Sequence, residues 1–529
     1  MVGAEQRVQP ASFEQAPGRR LYWLTVWRRW LALRFGPVAP HGVLLVALYA
    51  MFALLARLIS FGRVQRSTAL VVIVVLVAAL FVVMVGLFVR ALWAALRGTC
   101  GRELPGSLRP ILAATLGAGL CLVTLPRLFS KDVLSYLVYG RAFGAYGLNP
   151  YTTNPINMQY DFNFRLIDWH DAVSVYGPVW TLICTALYKV VHPFATTHVW
   201  GYVVGFRLLA LAFHLGSVVL VWQILGRLRP REQVAGTIFY AWNPLTLIEF
   251  AGNGHNDAAL VFFLLAALAA HTAERRRPAL VALCLALSVL TKFITLLIVP
   301  AYALLLWRSA PDLRARFIAW GKAVGIGLAA CVLLWAPFAA ALRHPGFLVT
   351  SSAASAYDNS LLELVYWSLR HLFAAVLPAA RSDELANTIV KTLGRLAFVV
   401  IWGVLTWRAR STARFIHASF WILFAYLVLA TPWFWPWYVT WLVALAPLTS
   451  ERRATAATLT FSASVLVLYV LWGNQLPYDR GSMYPIHNIV AFGLPLLVLW
   501  LQLRRGGAEN EPVYAGGADL AHARLPASS

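Results

Sequence analysis

Apolar runs long enough to cross a bilayer recur along this 529-residue chain, from 41–61 to 484–503, about fourteen in all. A hydrocarbon core takes about 20 apolar residues per helical crossing, and a helix satisfies its own backbone hydrogen bonds in lipid. The expected fold is an all-α polytopic integral membrane protein of about 13–15 transmembrane helices, read as one transmembrane domain over 41–503 between a cytoplasmic segment 1–40 and a disordered cytoplasmic tail 504–529. Composition agrees: 60% of residues are hydrophobic and 12% charged, with a mean hydropathy of +0.69. Soluble domains use about twice as many charges.

The formal charge of +23 does not indicate nucleic acid, because the Arg residues fall in short clusters between apolar runs instead of on one basic face. Such clusters report topology, since Lys and Arg concentrate in cytoplasmic loops. Five cysteines (Cys100, Cys121, Cys184, Cys284 and Cys331) are scattered without a CxxC or Cys/His grouping, so neither zinc nor a disulfide framework is indicated. No GxGxxG, P-loop or HExxH occurs, which leaves nucleotide cradles and zinc proteolysis without support. The first apolar run lacks a cleavage site and reads as a signal anchor.

With both termini cytoplasmic, clusters such as Arg227/Arg229/Arg231, Arg275/Arg276/Arg277 and Arg452/Arg453 all fall inside. That holds only if 173–192, SVYGPVWTLICTALYKVVHP, does not cross, so a re-entrant or interfacial helix is expected there, with Tyr176-Gly177-Pro178 as the break. The segment 361–378 carries the same ambiguity. The outer side then receives a loop over 129–199, the AGNGHND turn, Lys292 and the WFWPWY turn. Asp132, Asp161, Asp168, Asp171, Asp257, Asp358 and Asp479 collect on that face.

Four constellations stand out. In SKDVLSYLVYGRAFGAYGLNPY, Asp132 lies nine residues before Arg141. A carboxylate at the membrane surface can take a proton from a hydroxyl and an Arg can hold a phosphate; equally, Asp132 can cap a short surface helix. Asn253-Gly254-His255-Asn256-Asp257 carries more hydrogen-bonding side chains than a turn requires, and His255 and Asp257 suit sugar hydroxyls or a cation. Lys292 stands between two apolar runs, where it can meet a lipid phosphate or snorkel to the headgroups, and Arg207 is a similar case with Glu249 as a structural partner. The cluster from Thr431 to Tyr438 is either an aromatic belt or a fixed loop presenting Trp435 and Tyr438 to a sugar.

Taken together, DVLSYLVYGRAFGAYGLNPY, SVYGPVW, NPLTLIEFAGNGHNDA and FWPWY resemble the polyprenol-phosphate-mannose-dependent mannosyltransferases of the MptA/MptB type, within the GT-C glycosyltransferases, over about 108–450. The resemblance implies a GT-C fold with a large outer loop carrying short interfacial helices, and a polyprenyl-phosphate sugar donor. It also implies a glycolipid or glycan acceptor and an essential acidic residue in the first large outer loop, which here is Asp132. Asn149-Pro150-Tyr151 stands where the family has Asp-Pro-Tyr, so no second acid is expected at 149. The implied site has Asp132, His255 and Asp257 as catalytic groups and Arg141, Tyr136, Tyr176, Asn253, Asn256, Lys292, Trp435 and Tyr438 as contacts to donor or acceptor. No cofactor is required; a divalent cation between Asp132 and Asp257 is compatible with the motifs without being demanded by them. The competing class is a lipid or solute transporter or flippase, which would place charges at the midplane between internal repeats; no repeat is evident.

Overall fold

The computed structural model describes residues 38–61, 67–98, 108–126, 129–195, 198–343, 357–472 and 480–504. Expectations placed on residues 1–37, on Asp479 and on the tail after Arg504 lie outside the described residues. Among the described residues the secondary structure is helical, and the one β contact is an isolated parallel bridge between Asp358 and Trp433.

Among the described residues eight helices are long and apolar enough to cross a membrane: Ala39–Arg57, Val75–Arg97, Val199–Leu228, Leu313–Arg343, Ala379–Arg408, Thr412–Leu429, Arg452–Val470 and Ile486–Arg504. A ninth arises if Pro244–Gly252 and Asp257–His271, which meet at 118°, form one broken span. The other apolar runs fold as shorter helices, including Leu108–Val123, Pro178–Val191 and Pro278–Thr291. The run 233–251, continuous in hydropathy, is divided in the structure at Pro244.

The buried core runs through Leu108–Val123, Val199–Leu228, the 233–251 stretch, Asp257–His271 and the 439–448 turns. Peripheral helices carry large apolar side chains outward, as with Val82, Val332, Leu333 and Val400, each more than 60% exposed. Such surfaces suit lipid.

Three interruptions matter. At Asn243-Pro244 the chain restarts as a helical turn, with the Asn243 side chain accepting from the Leu245 N–H, and then widens into a π-turn over Ile248–Gly252. Gly254 follows at φ +78°, a left-handed conformation that a side chain would strain, and Asp257 begins the next helix. Lys292 is extended (φ −156°, ψ 124°) between Pro278–Thr291 and the 3₁₀ turns Phe293–Ile298. The third is Tyr176-Gly177-Pro178: Gly177 donates to the Thr291 carbonyl at 3.1 Å, and a Cβ at Gly177 would lie 2.0 Å from the Leu290 oxygen. Only glycine allows that lead-in to dock on the turn carrying Lys292. The Pro178–Val191 helix that follows has 14 residues, about 21 Å, short of the roughly 30 Å hydrocarbon core. The 361–378 segment likewise yields a 14-residue helix, Leu361–Ala374.

Candidate active site

Asp132 opens the Asp132–Tyr146 helix, whose N-cap is Lys131 without a side-chain capping bond; the Asp132 N–H instead donates to Ser130 Oγ at 3.2 Å. Its carboxylate is thus not committed to capping. It stands 3.8 Å from His255 Nδ1, with about a quarter of the side chain exposed while the imidazole is fully enclosed. This helix is outside the candidate spans. Burial pushes the Asp132 carboxyl up to about 6; Lys292 opposes that rise, Asp257 and Asp168 add to it, and the Tyr176 hydroxyl within bonding reach opposes it. The group is therefore mostly ionised at neutral pH, yet basic enough to accept a proton.

Lys292 Nζ donates to both Asp257 oxygens at 3.0 Å, and Trp441 Nε1 donates to Asp257 Oδ1 at 2.6 Å. The ammonium also lies over the rings of Tyr438 (4.7 Å) and Trp441 (5.5 Å). Asp257 is fully buried and Lys292 one-fifth exposed, so the carboxylate is the anchor and the ammonium the presented group. A buried pair of this kind holds only with good geometry and added hydrogen bonds, which Trp441 supplies. Among the described residues no group of three or more His, Cys, Asp or Glu side chains is placed to hold a metal ion. Both oxygens expected to share a cation with Asp132 are engaged by Lys292.

His255 is enclosed between carboxylates. Nε2 lies 3.4 Å from Glu249 Oε2, and the ring stacks on Trp437 with centroids 4.1 Å apart. Glu249 accepts from Asn253 Nδ2 at 2.9 Å and from the Tyr469 hydroxyl. Glu249, Trp437, Trp441 and Tyr469 belong to this cluster without being among the contacts expected from sequence. For Glu249 the sequence carries a signal, a carboxylate four residues before Asn253 in an apolar run, where polar groups are costly; the partner expected for it is Arg207. In the structure Arg207 donates to the carbonyls of Val123 (3.0 Å) and Leu125 (2.7 Å), closing the end of Leu108–Val123.

Several expected contacts turn out to be internal ties. Tyr136 is fully buried, its hydroxyl paired with the Asn256 side chain at 3.3 Å and its ring edge-on to Tyr176 and Trp180. Asn253 accepts from the Phe129 N–H at 3.0 Å and is also buried. These residues fasten the Asp132 helix to the NGHND turn and are closed to a sugar. Arg141 departs furthest from expectation: about 13 Å along the helix from Asp132, it donates through Nε to Asp161 Oδ2 at 2.7 Å. Burial would raise the Asp161 carboxyl, but the Asn163 N–H, Tyr146 and Arg141 outweigh it and hold that group below its usual range. Asn149 accepts from the Tyr151 N–H at 3.1 Å and shapes the loop.

The remaining loops close over the same face. The Asp358 N–H donates to the Pro432 carbonyl at 3.0 Å, the Phe434 N–H to the Asp358 carbonyl at 2.8 Å, and Trp169 meets Trp433 edge-on at 5.7 Å. Trp435 stacks on Trp437 at 5.0 Å. Asp168 pairs with Lys131 at the surface, and Asp171 is exposed. Asp132, His255, Asp257, Lys292, Tyr176 and Tyr438 thus come together from five separate stretches of chain.

Residues 37–308, just over half of the chain, match the family described as alpha-(1->6)-mannopyranosyltransferase, N-terminal domain, of the MptA/MptB type. Alpha-(1->6)-mannopyranosyltransferase A of Mycobacterium tuberculosis is 28% identical over 379 residues, covering 68% of this chain and 69% of that protein. Alpha-(1->6)-mannopyranosyltransferase B of Corynebacterium glutamicum is 30% identical over 166 residues, 30% of this chain and 26% of that one. Among solved structures, the archaeal oligosaccharyltransferase AglB from Archaeoglobus fulgidus, in complex with an inhibitory peptide and a dolichol-phosphate, aligns with a TM-score of 0.36 at 12% identity, covering 75% of this chain and 55% of that one. The matched half of the chain contains Asp132, Glu249, His255, Asp257 and Lys292, and on that match the protein belongs to the MptA/MptB family and is a membrane mannosyltransferase.

Proposed function

We propose that the enzyme transfers mannose from a polyprenyl-phosphate donor to a hydroxyl of a glycolipid or glycan acceptor at the outer face of the cell membrane, with inversion. The acceptor hydroxyl loses its proton to Asp132, its oxygen bonds the anomeric carbon, and the bond from that carbon to the phosphate oxygen breaks, the electron pair leaving with the phosphate. Lys292, held in place by Asp257, offsets charge on the departing phosphate, a role in which preorganised groups contribute most. Tyr176, Tyr438 and Trp435 border the reacting groups. With a fixed ammonium already present, no divalent cation is required.

The observation that carries this reading is the pairing of a partly exposed carboxylate, raised to about 6, with a partly exposed ammonium anchored by a buried Asp. Outward orientation is supported by the Asp257–His271 helix, which runs about 20 Å from the site to Arg275, Arg276 and Arg277, a cluster the positive-inside rule assigns to the cytoplasm. The domain reading follows: 41–503 as one catalytic membrane domain, with 129–199 as its outer loop. In the test, the purified protein in lipid nanodiscs receives a panel of polyprenyl-phosphate sugars and a synthetic mannoside acceptor. Transfer from the polyprenyl-phosphate mannose donor is expected; no transfer from it, with transfer from a nucleotide-activated mannose instead, would overturn the donor assignment.

A further inference from the structure

Glu249 is fully buried in the π-turn, and among the described residues it meets no Lys or Arg. Its partners are the Tyr469 hydroxyl, Asn253 Nδ2 and, at 3.4 Å, His255 Nε2. The other ring nitrogen faces Asp132 Oδ2 at 3.8 Å, and both nitrogens are buried without a hydrogen bond. One imidazole therefore lies between two carboxyl groups, one reaching solvent and one sealed inside. Shortening of about 1 Å at one end and about half that at the other would bring both to hydrogen-bond distance, and sites of this kind commonly tighten when substrate binds.

From this juxtaposition of Asp132, His255 and Glu249 we infer that Glu249 is a positioning residue for the transfer reaction. By accepting from Nε2–H it fixes the His255 tautomer that turns the Nδ1 lone pair toward Asp132. Once Asp132 has taken the proton of the acceptor hydroxyl, its carboxyl can donate to that Nδ1 lone pair, which holds the protonated form in place while the glycosidic bond forms. After product leaves, the proton passes from Asp132 to water through its exposed edge. The inference rests on the reading of Asp132 as base. A purely structural Glu249 would only have to accept from Tyr469 and Asn253, and an amide oxygen can take over part of that role.

The charged and titratable groups facing His255 are Asp132 from the Asp132–Tyr146 helix, Glu249 and Tyr469 on the inner side, and the Asp257–Lys292 pair. Since Lys292 and Asp257 bind each other, changing Glu249 alters the partner on one side of the ring alone. In nanodisc-reconstituted full-length enzyme, Glu249→Gln is expected to lower kcat about 10–100-fold, the usual size of losses when a group orienting a reactive His is removed. KM for donor and acceptor should stay within about twofold, and the acid limb of the pH profile of kcat should move; Glu249→Asp should restore part of the rate. A Glu249→Gln enzyme that keeps the parent kcat and pH profile, while Asp132→Asn is inactive, overturns the positioning role of Glu249 and leaves Asp132 standing. An active Asp132→Asn enzyme overturns the Asp132 reading itself. Should Glu249→Gln not fold, Glu249→Asp decides: a side chain one carbon shorter is withdrawn from Nε2, so a lower kcat with KM held supports the positioning role, and the parent kcat and pH profile overturn it.

Discussion

At the scale of single residues the groups proposed to act on substrate, Asp132 and Lys292, are those that stay partly open to solvent. Asp132→Asn keeps the shape of the side chain but cannot accept a proton, so transfer should fall by about 10²–10⁴ in rate with donor binding retained. Because the Asp132 carboxyl sits at about 6, kcat/KM in the unaltered enzyme should rise as pH increases through about 6 and level above it. An ordinary Asp, near 3.9, would hold the plateau down to about pH 5, so a pH–rate profile separates the two. Lys292 is tested differently, since removing it alone strands the buried Asp257 charge. The pair Lys292→Met with Asp257→Asn leaves that site neutral; donor affinity should drop about 10–100-fold, the worth of a hydrogen bond to a charged group, about 1.5–3 kcal/mol. Equilibrium binding of a polyprenyl-phosphate sugar measures it. Asp132, His255, Asp257 and Lys292 could be read from sequence because each is a polar group at the edge of an apolar run, where its cost demands a reason. Tyr136, Asn253 and Asn256 could not be sorted from them: sequence shows that a polar side chain is present, and only packing shows whether it meets substrate or a neighbouring backbone.

At the scale of elements, the candidate site lies where helices are interrupted. Hydropathy located nearly every helix, because burial in lipid needs only composition and length, and it already divided the apolar runs at the NGHND turn and at Lys292; what it merged is the break at Pro244, inside 233–251. That break is a local backbone event, a missing N–H, and a window average erases it. Gly177 tests whether such a junction positions the chemistry. Any Cβ there collides with the Leu290 carbonyl, so Gly177→Ala must push the Tyr176 lead-in away from the turn carrying Lys292. The cost expected from such overpacking is about 1–3 kcal/mol, visible as a lower melting temperature in detergent. Transfer per folded molecule should fall as well, because Tyr176 and Lys292 shift relative to Asp132. A lower melting temperature with unchanged kcat would mean that the docking stabilises the fold without aligning the site.

For the whole molecule, the question is which face of the bilayer the site meets. The Asp132 helix, the NGHND turn, Lys292 and the Trp433–Trp437 stretch gather at one end, while the Arg275–Arg277 cluster marks the far end of the Asp257–His271 helix. If the first end is outside, a periplasm-active reporter inserted after Asp171 should be active, and the same reporter inserted after Arg231 or Arg277 should be silent. The insertion after Arg231 is the more demanding, because its expected side depends on Pro178–Val191 failing to cross: 14 residues span about 21 Å, and the helix packs through Gly140 and Gly144 against the interfacial Asp132 helix, where added Cβ atoms would meet the Cys184 carbonyl at 2.7 Å and the Tyr188 ring at 2.9 Å. Helices held that closely should share one leaflet, the outer one if the site faces outside. A reporter active after Arg231 and silent after Asp171 would turn the whole arrangement over, moving the site to the cytoplasmic face and requiring a donor whose sugar is presented there.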